Sequence, residues 1–85
     1  MKRAANISVI LDHPRETQRQ FNEIVSDYGD IIRGRMGIPF EGSVALISLT
    51  VVAELDHINS FTGKLGKLPG VTVKASIARE GVCVE

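Results

Sequence analysis

Two spacings of apolar residues organise the chain. In some stretches they recur at every second position, the mark of a strand, and in others at every third or fourth, the mark of a helix. Ile7-Ser-Val-Ile-Leu11 reads as the first strand, with Ile7, Val9 and Leu11 on one face and Ser8 and Ile10 on the other. Met1 to Asn6 before it reads as a frayed end. Asp12-His13-Pro14 stops the strand. Proline suits a first helical turn, and Asp12 or His13 can cap it. The helix that follows carries Thr17, Phe21, Ile24, Val25 and Tyr28 along one stripe. Arg15, Glu16, Arg19, Gln20 and Glu23 fall outside it, the pattern of a helix packed on a sheet through one face. Gly29 ends this helix.

Two strand-like runs come next, Asp30 to Met36 and Val44 to Val52, joined by the glycine- and proline-marked stretch Gly37 to Ser43. That stretch predicts the loop of a hairpin. The second run is apolar on both alternating sets, as in a central strand covered on both faces. The first carries Arg33 and Arg35 about Gly34, which suits an edge strand that charge protects from mispairing. A second helix begins near Asp56, as its cap, and buries Ile58, Phe61, Thr62 and Leu65. Lys64 and Lys67 oppose its macrodipole, and Gly66 is expected just past its end with a positive φ. Pro69-Gly70 turns the chain into a last strand, Val71 to Ile77. The residues after Ala78 read as a short extension or a loose end.

The order β-α-β-β-α-β is the split arrangement of ferredoxin-like α+β folds. Right-handed crossovers put both helices on one face of a four-stranded antiparallel sheet of order 4-1-3-2. Ile7, Val9, Leu11, Ala45, Ile47, Leu49, Val71, Val73 and Ile77 are expected to meet the helices. The opposite face is expected to carry Ser8, Ile10, Arg33, Arg35, Val44, Leu46, Ser48, Thr50, Thr72, Lys74 and Ser76. Its apolar centre of Ile10, Val44 and Leu46, with Ser48 beside them and charge at the edges, reads as a surface for a second copy. Scattered surface hydrophobics are the plainer alternative. The expected assembly is a homo-oligomer, dimer or tetramer.

Size and charge sharpen this picture. A chain of 85 residues makes one domain, 1–85 with a core over 7–78, and its hydrophobic core is thin. Domains this small often gain stability by association. Ten Lys and Arg balance ten Asp and Glu, which argues against a broad basic surface for nucleic acid. The single cysteine, Cys83, excludes an internal disulfide and any Cys-x-x-Cys motif, and suits a reducing cytoplasm. The basic start is followed by an apolar run too short for a signal peptide or a membrane span.

Candidate chemistry is sparse. His13, His57 and Cys83 are the only soft ligands, and no two are spaced as a metal pair, so no metal or cofactor is expected. Arg33 and Arg35, pointing the same way on one strand, could form an anion seat with Lys74 across the sheet. The alternative is that these charges only limit edge pairing. Gly63-Lys64-Leu65-Gly66 lies at a helix C-terminus, the wrong end for an anion. No Ser-His-Asp set, facing carboxylate pair or nucleophile beside a base is present, so no catalytic residue is nominated.

Two segments, Arg35-Met-Gly-Ile-Pro39 and Thr62-Gly-Lys-Leu-Gly-Lys-Leu-Pro-Gly-Val-Thr-Val-Lys74, carry a family likeness. Through them the chain resembles the iron-only hydrogenase system regulators over about Ile7 to Ala78. That family is similar to the ACT domain and to the C-terminal domain of the nickel-responsive repressor. The resemblance implies a regulatory or sensor module that acts as an oligomer. The leading reading is that it acts by binding a small ligand or a partner protein, with a ligand site at the subunit interface near the first strand-to-helix loop and the second strand. Asp12, His13, Arg33, Arg35 and Lys74 are the candidate ligand-binding residues. Two departures qualify it. The loop Asp12-His13-Pro14-Arg15 lacks the glycine of amino-acid-binding ACT domains, and nothing matches the repressor's ribbon-helix-helix DNA-binding segment. Direct nucleic-acid binding is therefore not expected. A second reading is a ligand-free accessory or assembly factor for a metalloenzyme.

Overall fold

Six elements follow one another in the expected order: β1 (Lys2–Leu11), α1 (Pro14–Asp27), β2 (Ile32–Phe40), β3 (Val44–Glu54), α2 (Leu55–Gly66) and β4 (Val71–Ile77). The computed structural model describes residues 1–40 and 44–79, with backbone only at 39 and 40. The sheet order is β2-β3-β1-β4, the expected order read from the other edge, and every neighbouring pair is antiparallel.

Strand parity decides what is buried. Ile7, Val9 and Leu11 of β1 lie opposite Leu49, Ile47 and Ala45 of β3, and all point toward the helices. Val71, Val73 and Ile77 of β4 add a half-buried flank to the same layer. Phe21 and Val25 of α1 and Ile58, Phe61 and Leu65 of α2 close over it. Each large apolar side chain fully buried there stabilises the fold by about 1.5–3 kcal/mol.

Both helices start without the expected side-chain caps. His13 occupies the cap position of α1 but makes no side-chain cap bond. Its carbonyl instead accepts the backbone N–H of Glu16 at 3.0 Å and of Thr17 at 3.2 Å, and the buried Thr17 hydroxyl at 3.1 Å. Pro14 is the first helical residue, where its missing donor costs nothing. Glu54, not Asp56, is the cap residue of α2, and Asp56 falls within the first turn, where its charge suits the dipole. Gly66 closes α2 as a helical residue, and the positive φ belongs to Gly70, at +69°.

The strands run longer than the alternation alone predicts. β1 starts at Lys2 because Ala5 pairs with Val51 on one side and Ile77 on the other, and it is buried. Met1 to Asn6 is thus mostly strand. β3 continues through buried Ala53 to Glu54. Gly37 to Phe40, expected as loop, is strand paired with Val44 to Ile47. Pro39 fits there because β2 is an edge strand, whose outward N–H positions need no partner. Residues 41–43, the rest of the expected loop, lie outside the described residues.

A register shift between Ile32 and Gly34 has the largest effect on the surface. Gly34 lies opposite Thr50 and Arg35 opposite Leu49, so Arg35 joins the helix side of the sheet. The expectation that Arg33 and Arg35 share the bare face therefore fails. A bulge at Arg33 inserts one residue and breaks the period of two.

Candidate functional site

The face without helices carries three cross-strand rows. Ile38, Leu46, Ile10 and Thr72 form one, on β2, β3, β1 and β4 in turn. Met36, Ser48, Ser8 and Lys74 form the next, and Gly34, Thr50, Asn6 and Ser76 the third. Met36 is 62% exposed, Ile38 50% and Leu46 40%, while Ile10 and Val44 are half-buried. The apolar patch therefore lies toward the Leu11 and Val44 end of the face and not at its centre. The middle is short and polar, built of Ser8, Ser48, Asn6 and Thr50. Met36 and Ile38 were missed as surface residues because the bulge at Arg33 reverses the alternation that reaches them.

Beside the patch lies a shallow depression of about 410 Å³, lined by Asn6, Ile7, Ser8, Ser48, Lys74, Ala75 and Ser76. The Thr50 hydroxyl donates to Asn6 Oδ1 at 2.9 Å, which fixes that amide and leaves its NH2 group to donate elsewhere. Lys74 makes no ion pair among the described residues.

The expected ligand residues do not converge. Arg35 donates to Asn22 Oδ1 of α1 at 3.1 Å, and its guanidinium lies 5.6 Å from the centre of the Phe21 ring. Arg33 sits at the bulge on the same outer strand. Lys74 is on the other outer strand, with β3 and β1 between, about 14 Å away across the sheet. Asp12 and His13 follow Leu11, which pairs with Ala45, whereas Arg35 pairs with Leu49, roughly 13 Å along the strands. The Asp12 N–H donates to the Gly70 carbonyl at 2.8 Å, so that loop is held by the turn before β4.

Nor do the two histidines meet. His13 follows the Leu11 end of β1, and His57 follows the Glu54 end of β3, which pairs with Lys2 at the opposite end. Among the described residues no three His, Cys, Asp or Glu side chains gather as a metal site. Cys83 lies outside the described residues.

On the helix layer, Tyr28 is a polar focus that sequence patterning read only as core. Its ring centre is 4.7 Å from that of Phe61 and 5.2 Å from that of His57. Its hydroxyl is 3.3 Å from the Ser60 hydroxyl, and Lys64 Nζ stands 5.1 Å from the ring centre. The Ser60 hydrogen bond, then that of Lys64, holds the phenol below its ordinary value, with burial opposing them. The signal was the chain's lone tyrosine on a buried stripe, although its partners on α2 could not be read from the sequence.

A family profile described as "TM1266-like: Iron-only hydrogenase system regulator, putative" matches residues 3–75. The chain belongs to this family. The family name suggests regulation of an iron-only hydrogenase system. Among curated proteins, no sequence matches. A solved relative, the uncharacterized protein TM1266 from Thermotoga maritima, shares 30% identity over 93% of this chain and 100% of its own, with a TM-score of 0.88. The ACT domain of GTP pyrophosphokinase from Chlorobium tepidum superposes with a TM-score of 0.70 at 20% identity, over 88% of this chain and 86% of that one. The C-terminal domain of the MgtC protein from Mycobacterium tuberculosis does so at 0.65 and 16%, over 92% and 89%. At those identities the likeness is one of fold. Among the described residues no helix is long and apolar enough to cross a membrane.

Proposed function

We propose that this family member is a self-associating regulatory module of a hydrogenase system, active in the cytoplasm. It acts as a dimer or tetramer and binds a small ligand or a partner protein. The observation that carries this reading is the exposed apolar patch at one end of the bare sheet face, Met36, Ile38 and Leu46 beside Ile10. Three large apolar side chains that far open on a chain of 85 residues favour burial against another copy. A ligand bound where copies meet stabilises one arrangement over another, and that difference is the regulatory output. The balanced charge favours a protein or small-molecule partner over nucleic acid.

Sedimentation velocity at micromolar concentration tests the assembly. The wild type is expected to sediment as a dimer or larger, and Leu46→Lys as a monomer. A monomeric wild type overturns the reading. The regulatory half is tested in a host that carries an iron-only hydrogenase. Deleting the gene changes hydrogenase activity, and the Leu46→Lys variant does not restore it. If assembly and melting ignore amino acids, nucleotides and divalent metals alike, a ligand-free accessory factor takes the place of the sensor.

A further inference from the structure

We infer that the depression around Lys74 on the bare sheet face is the seat of a small organic anion that carries no cationic group, a hydroxy carboxylate or a phosphate ester. This rests on the reading above, because a second copy stacked on the face is what closes the depression.

Register builds the seat. Lys74, Ser8 and Ser48 lie directly opposite one another on β4, β1 and β3, in a row about 10 Å long measured between backbones. Ser76 and Asn6 face each other in the next row, and Asn6 is oriented by the Thr50 hydroxyl. All of these groups can donate, and an anion oxygen is the acceptor they have in common. On the other side Ile10 and Leu46 form an apolar wall for the hydrocarbon part of a ligand.

Charge selects the class. Across the four strands the only acidic residue is Glu54. It lies at the far end of β3, paired with the amino group of Met1 at 2.8 Å. Among the described residues the ammonium of Lys74 therefore has no carboxylate partner, and an amino acid's own ammonium would meet none on the described strands. A zwitterion is disfavoured, and a simple anion is not. Covering the seat with a second copy removes water and strengthens the charge-assisted bonds.

Calorimetry and thermal melting with lactate, glycerol phosphate and alanine test the assignment. At least one of the two anions is expected to bind and raise the melting temperature, and which one does so separates carboxylate from phosphate ester. Alanine is expected to do neither. Lys74→Met should weaken the anion about tenfold or more, the loss of one charge-assisted bond. Lys67→Met, beyond the C-terminus of α2, should leave it unchanged. Response to neither anion, an equal response to alanine, or an undiminished response in Lys74→Met overturns the inference. An assembled wild type without any anion response removes the seat and keeps the self-associating module. A monomer that binds the anion removes the module and leaves the seat open on one side.

Discussion

Tyr28 is the chain's single tyrosine, and the chain has no tryptophan, so its ionisation can be followed alone by tyrosinate absorbance. The Ser60 hydrogen bond, followed by that of Lys64, favours the phenolate. Its midpoint is expected below the ordinary value near 10, and Ser60→Ala or Lys64→Met should return it toward that value. Because the folded value is the lower one, the phenolate's stabilising effect is complete only above the unfolded value. It is lost as pH falls through the folded midpoint, so at neutral pH it contributes nothing. An unshifted midpoint in the wild type would remove this account of the cluster. Gly70 makes a second prediction at this scale. With φ at +69°, any L side chain is strained there, and Gly70→Ala should cost about 1–2 kcal/mol in urea unfolding. The added methyl would sit 3.4 Å from His13 Cδ2, an ordinary contact, so the backbone carries the cost.

At the level of elements, α2 holds the layers together. Phe61 is fully buried, and its ring packs on Tyr28, the residue that caps the end of α1. Phe61→Ala should destabilise by about 3–5 kcal/mol, a large part of what a domain this small possesses. Urea midpoints would read it directly. Helix stripes and the odd-numbered core residues of β1 and β3 were legible in the sequence, because burial on one face imprints a period that survives any choice of partner. Strand ends were not. The Ala4-Ala5 pair has little strand propensity, and it is strand only because β3 and β4 flank it. The bulge at Arg33 was equally invisible, since one extra residue leaves no mark in composition yet reverses every later side chain of β2. It took Arg35 off the bare face and put Met36 and Ile38 on it. Arg35→Glu should therefore leave the sedimentation of the protein unchanged, whereas an unbroken alternation would have set that charge in the interface.

For the molecule as a whole, the two faces of the sheet differ in kind, and the difference predicts how stability depends on concentration. One face is sealed by two helices, and Ile7, Val9, Leu49 and Val51 are nearly inaccessible beneath them. The other has its apolar row at one end and its polar depression beside it. The contributions of β1, β3 and β4 to that face were readable, but that of β2 was not, and neither were the rows, because they depend on which residues of distant strands stand opposite each other. If the apolar row is covered by another copy, folding and association are linked, and unfolding must also break the interface. The melting temperature should then rise with protein concentration, since only the folded chain associates. In Leu46→Lys that dependence should vanish. Leu46 is 40% exposed, so replacing it costs the single chain little, within about 0.5–1 kcal/mol, and the variant should melt at any concentration near the wild type's dilute limit. A variant that melts far below that limit would mean that Leu46 supports the fold itself. A wild type whose melting point ignores concentration would mean that the row stays open to water.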